Sequence, residues 1–134
     1  MMKKIFFGLI LVFATQACSE KLAYNSVAGT KWVLSEWPEK TMPSTTKKAL
    51  LNFGGDNKIS GKSFCNGFGG SATISGNTIK FSELIGTMMF CEDVGEAEKN
   101  YLDDLKSVTS FKVENGKLHL YKDGAPAMVF IKTE

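Results

Sequence analysis

The chain has 134 residues, 16 basic and 14 acidic side chains and a formal net charge of +2, which bounds it to one domain without a strongly charged surface. The basic residues are all lysines, so the guanidinium fork best suited to phosphates and base edges is missing and nucleic acid is not an expected partner. A single histidine and three cysteines leave little material for a metal cluster, and neither a metal nor a cofactor is expected.

Residues 1–17, MMKKIFFGLILVFATQA, carry two lysines, an apolar run from Ile5 to Ala14 and then small or polar residues, the layout of a secretory signal. Ten such residues rise only about 15 Å as a helix, too short for a permanent span. The run has no polar face, which argues against an amphipathic first helix. The stretch TQAC that closes it resembles the lipobox of bacterial lipoproteins, although Thr15 stands where an aliphatic residue is usual. That resemblance implies acylation of Cys18, attachment to a membrane through it, and a bacterial cell-envelope location at the outer membrane or cell surface rather than free in the periplasm. Export makes the remaining pair, Cys65 and Cys91, readable as a disulfide, with buried free thiols as the alternative.

Residues 18–28 are polar and aperiodic, as a lipidated tether would be, and the domain is expected over 29–134. TKWVLSEW alternates, placing Trp32 and Leu34 on one face and Val33 with Trp37 on the other. Residues 38–46 read as a loop; exposed there, Trp37 and that loop would serve a surface interaction or inhibitor module. ALLNF and KISG flank a turn at Gly54 to Asn57. The Gly76-Asn77 turn pairs Ile74 with Ile79 and Ala72 with Phe81. The Asn115-Gly116 turn pairs Val113 with Leu118, Lys112 with His119 and Phe111 with Leu120, again with one apolar face. A last strand follows Asp123-Gly124. Between the hairpins, Val94, Ala97, Tyr101, Leu102, Leu105 and Val108 recur at helical steps, predicting one helix over 93–108 that Glu92 and Asp93 begin. The resulting class is α+β: an antiparallel, barrel-like, partly open sheet of about seven strands with one covering helix, expected to be a monomer.

Catalytic motifs are weak. DNKISGKS ends like a phosphate loop but begins on Asp56 and runs into strand-like sequence. His119 falls opposite a lysine on a polar face, without convergent partners. Asp103 and Asp104 point about 100° apart on a helix and read as a solvated face. Met88, Met89 and Phe90 read either as core or as the soft lining of an apolar ligand site at the barrel opening. The glycines from Gly67 to Gly70 mark a bulge or a close backbone approach.

Taken together, GTKWVLSEW, SGKSFCNGFGGSATISGNTIKF, TMMFCED, YLDDL, LHLYKDG and MVFIK resemble a META domain of the HslJ heat-shock type across 29–132. The most specific part is Cys65, Asn66, Gly67 and Phe68 with Thr87, Met88 and Cys91. That family commonly reads Gly-Cys-Asn in the first block and Thr-Arg-Met-Ala-Cys in the second; here Phe64, Met88 and Phe90 stand at the glycine, arginine and alanine positions. The resemblance implies a small, barrel-like envelope protein without catalytic residues. It implies a role in stress tolerance or envelope integrity, exercised through a lipid-like apolar ligand or an envelope protein, and a fold similar to that of a lipid-binding pilot lipoprotein.

Overall fold

In a computed structural model, which describes residues 24–133, eight strands and one long helix follow one another along the chain. They are β1 (Lys31–Glu36), β2 (Ala49–Phe53), β3 (Lys58–Ser63), β4 (Asn66–Ser75), β5 (Thr78–Gly86), α1 (Ala97–Ser107), β6 (Ser110–Glu114), β7 (Lys117–Lys122) and β8 (Ala125–Thr133). Each strand pairs antiparallel with the next, and β8 returns to β1, so the sheet closes into a ring. The ring is uneven. Its thinnest seam joins β5 to β6 through one registered pair, Thr78 and Ser110. The α+β barrel-like class expected from the sequence therefore holds, with eight strands and a complete ring in place of about seven and a partial one.

Local chemistry accounts for the hairpins. Asn115 and Gly116 have φ of 54° and 72°, the left-handed pair that matches strand twist, and the predicted partners face one another throughout. The Gly76 hairpin also has the predicted register, with Ile74 opposite Ile79 and Ala72 opposite Phe81. The glycine-rich stretch of β4 does carry a bulge, between Gly69 and Ser71.

Alternation sends Trp32, Leu51, Ile79, Leu118, Leu120 and Phe130 inward, and all are buried. Tyr101 of α1 inserts among them, within ring-stacking distance of Trp37, Phe64, Phe68 and Phe130, and donates its hydroxyl to the Leu50 carbonyl at 3.0 Å. Burial pushes its phenol far above the ordinary range. The helix thus covers the ring by filling it.

Three expectations change. Trp37 is buried, because β1 opposite β8 carries an extra residue between Leu34 and Glu36, and the slip turns the next side chain inward. Its indole N–H donates to Asp104 Oδ2 at 2.7 Å, so Trp37 is not on a free surface and the half-buried Asp104 is engaged by it. The helix starts at Ala97 rather than at residue 93, since Gly95 takes a left-handed φ of 54°. Asp93 is instead tied to Lys47 Nζ at 2.7 Å and to the Thr45 hydroxyl at 2.5 Å. Ordered structure also begins ahead of Gly29: residues 24–27 form a helical turn, and Val27 is fully buried. The expectations for residues 1–17 and for acylation of Cys18 lie outside the described residues.

Candidate functional site

The residues of the sequence motif converge at one end of the ring, where the β3–β4 turn, the loop after β5 and the start of α1 meet. Asn66, the first residue of β4, is buried and uses its whole side-chain amide. Its Nδ2 donates to the Met89 carbonyl at 2.9 Å and to Glu98 Oε2 at 2.7 Å. Its Oδ1 accepts from the Met89 N–H at 2.8 Å and from the Thr87 hydroxyl at 3.0 Å. Two donors and two acceptors exhaust an amide, so any other side chain here leaves partners unmet.

Glu98 completes the junction from the helix. Its Oε1 accepts from the backbone N–H groups of Asn66 at 2.6 Å and Cys65 at 3.1 Å, and from the Ser63 hydroxyl at 3.4 Å. Charge-assisted bonds of this kind are about twice as strong as neutral ones. A disulfide between Cys65 and Cys91, with Cα atoms 6.4 Å apart, adds a covalent tie across the same junction. Thr87 N–H donates to the Gly67 carbonyl at 3.0 Å, and Phe68 points inward toward Tyr101. Asn66, Gly67, Thr87 and the two cysteines are therefore brought together as a clamp. Glu98 had no motif signal; its only trace in the sequence is a carboxylate beside the apolar stripe of Ala97, Tyr101 and Leu105.

Phe64 explains itself here. Its φ is 71°, a conformation suited to glycine, and the ring is buried, stacked on Trp37 at 6.0 Å and edge-on to Tyr101 at 6.0 Å. Left-handed backbone costs a side-chain-bearing residue about 1–2 kcal/mol. Burying a phenylalanine contributes about 1.5–3 kcal/mol, which offsets it.

The clamp holds a loop that faces solvent. Met88 is 96 % exposed, Phe90 91 %, Ile85 78 % and Met89 63 %. They are not core, and they are not the lining of an internal chamber. Instead the loop forms one wall of an open groove of about 580 Å³, whose other wall is the outer face of α1 with Lys99, Leu102, Asp103 and Lys106. Lys99 and Asp103 pair at 2.5 Å, which holds the Asp103 carboxyl below its ordinary range and lifts the Lys99 ammonium above its own.

The other candidates are not drawn into this site. His119 sits on β7 opposite Lys112 and Val129, stacked on Tyr121 at 6.4 Å. The phosphate-loop-like stretch is strand β3, with no helix after it to present N–H groups. Among the described residues, no three His, Cys, Asp or Glu side chains come together as a metal-binding group, and no helix is long and apolar enough to cross a membrane.

The META domain family model matches residues 25–134. No curated protein matches the chain. Among solved structures, the chain is similar to an NMR structure of a protein from Burkholderia xenovorans, with a TM-score of 0.69 and 25 % identity over 84 % of this chain and 87 % of that one. A second NMR structure gives a TM-score of 0.63 at 21 % identity, covering 80 % and 92 %. The crystal structure of a DUF4847 family protein from Bacteroides vulgatus gives 0.58 at 10 % identity, covering 83 % and 96 %. The last two bear on the fold alone.

Proposed function

The chain belongs to the META-domain family, and from that premise we propose a non-enzymatic, lipid-anchored protein of the bacterial cell envelope that holds out a rigid apolar loop to a lipid-like partner. The observation that carries this is the contrast between a filled ring and a bare loop. Trp32, Tyr101, Phe130 and Met128 are fully buried, while Met88 and Phe90 are above 90 % exposed and fixed from behind by Asn66. Neighbouring exposed apolar side chains of this kind mark interaction sites more often than isolated ones do. An enclosed acyl chain has no place in the interior, so the binding surface is the loop and its groove. Support of envelope integrity under stress is the physiological role in which such an anchored binding surface would act.

The competing interaction module built on Trp37 loses its contact residue to the core. Native mass spectrometry of the protein taken from its own membrane tests the proposal. It should report acylated Cys18, a mass two hydrogens lower for the disulfide, and a non-covalent apolar adduct that Phe90→Asp removes. An unacylated amino end would overturn the anchored reading, and an adduct unchanged in Phe90→Asp would overturn the assigned surface.

A further inference from the structure

We infer that the segment from Ile85 to Phe90, the end of β5 and the loop after it, is a bilayer-docking element, which seats one side of the barrel on a phospholipid surface with Met88 and Phe90 inserted among the upper acyl chains. This rests on the apolar surface proposed above and names its partner. The segment, Ile-Gly-Thr-Met-Met-Phe, contains no charged residue and presents four strongly exposed apolar side chains. Its backbone is already ordered by Asn66, by the Thr87 to Gly67 hydrogen bond and by the Cys65–Cys91 bridge. Insertion would therefore fix little that is not fixed beforehand.

A second observation concerns the sheet beside the loop. Gly67 and Gly69 of β4 have ordinary backbone angles, and a Cβ on either would meet nothing closer than 3.8 Å. Gly61 differs, since a Cβ there would lie 2.1 Å from the Leu50 carbonyl. Packing thus requires glycine at 61 but not at 67 or 69, although glycine weakens a strand. The two glycines leave the strip of β4 beside Ile85 without side chains of its own, so that Ile85, paired with Gly69, stands clear of that strand. Lys62, opposite Gly67, and Lys106 across the groove supply long cationic side chains at the margin, where they can reach headgroup phosphates while their stems stay against apolar surface; Lys99 is already paired with Asp103.

The chain ahead of the domain favours a bilayer over a soluble partner. Tyr24 lies six positions after Cys18, a span of at most about 21 Å when extended. Tyr24 lines a small pocket with Lys58 and Ile59, at the end of β3 away from the clamp, and the same two residues line the shallow groove that Ile85 borders. The described start of the chain and the Ile85 end of the apolar ridge therefore border one strip of the sheet surface, and a tether of this reach lets a single plane meet both the acylated residue and the ridge.

The test uses the unacylated mature chain, residues 18–134, which contains the whole matched domain, and vesicles of phosphatidylethanolamine and phosphatidylglycerol. The chain should co-sediment with them, and Phe90→Asp or Met88→Asp should weaken this by about tenfold or more with an unchanged thermal midpoint. Phe90→Trp should shift its emission to the blue on vesicle addition and be quenched by lipids brominated high on the acyl chain, above the constant signal of buried Trp32 and Trp37. Absence of vesicle binding would overturn the inference, as would binding that salt abolishes and Phe90→Asp leaves intact. A blue shift that appears without vesicles and grows with protein concentration would also overturn it, since copies of the chain would then cover one another. Acylation is read separately from the mass of the amino end, so failure of the anchor and failure of the loop are distinguishable.

Discussion

Two apolar regions lie at the same end of this barrel and are built by opposite means. Inside, Trp37, Phe64, Phe68, Tyr101 and Phe130 stack on one another, and burial alone sorts them. Outside, Ile85, Met88, Met89 and Phe90 touch almost nothing, and polar groups behind them fix their positions. Hydrophobic character by itself predicts neither place. The difference lies in the backbone: alternation along the strands sends one set of side chains inward and leaves Ile85 outside, whereas the loop after β5 is pinned by Asn66 and flanked by the disulfide, which hold Met88, Met89 and Phe90 out.

The comparison can be broken most severely from the inside. Tyr101→Ala should cost about 3–5 kcal/mol by opening a cavity among four rings, read as a lower urea midpoint. Tyr101→Phe should cost only about 1 kcal/mol, the hydrogen bond to Leu50. Next comes Phe64, where the two regions share a backbone turn. Phe64→Ala should cost about 3 kcal/mol or more, and Phe64→Gly about 1 kcal/mol less than that despite the smaller side chain, because glycine relieves the left-handed strain. If the alanine variant proved the more stable, the offset argued for this position would be wrong.

The clamp should rank with or just below that position. Asn66→Ala strands the partners of a fully used amide and should cost about 2–3 kcal/mol, with faster exchange at the Met89 amide marking release of the loop. Reduction of the disulfide, whose cysteines are 26 positions apart, should cost on the order of 3 kcal/mol in the chain-entropy model.

Smaller still is the tie that fixes the chain after the loop. Lys47 beside Asp93 holds its carboxyl below the usual range, with Thr45 adding to the effect. A lowered folded-state value stabilises above the ordinary carboxylate range near 4 and loses that contribution as pH falls through the lowered value. Asp93→Asn should therefore lower the urea midpoint slightly at neutral pH, and the gap from the natural protein should close in acid. The smallest effect on stability belongs to the most exposed residues: Phe90→Asp and Met88→Asp should stay within about 0.5 kcal/mol, although they should disrupt binding most.

Much of this architecture is legible in the sequence where the determinants are local. The hairpins at Gly76 and Asn115 are specified by neighbouring turn residues and alternating faces, and their registers follow. Trp37 escapes the alternation pattern because a one-residue slip against β8, set by a strand almost a hundred positions away, reverses it. Gly95 cuts the helix short while the apolar spacing runs on through it, so periodicity alone overextends the element. The clamp combines both kinds of information. Cys65, Asn66 and Thr87 stand out as a motif, but Glu98 reaches Asn66 across 32 positions and shows no pattern of its own.

The pairing of β1 with β8 also has a consequence for how the molecule is made. The first and last strands are neighbours, so the ring cannot close until residues 125–133 have emerged from the ribosome. Until then β1 lacks one flank, and the interior around Trp32 and Phe130 is incomplete. Completion of the ring thus waits for β8, through contacts between residues far apart in the chain. The last strand to form is therefore the one that seals the core on both of its flanks, β7 and β1.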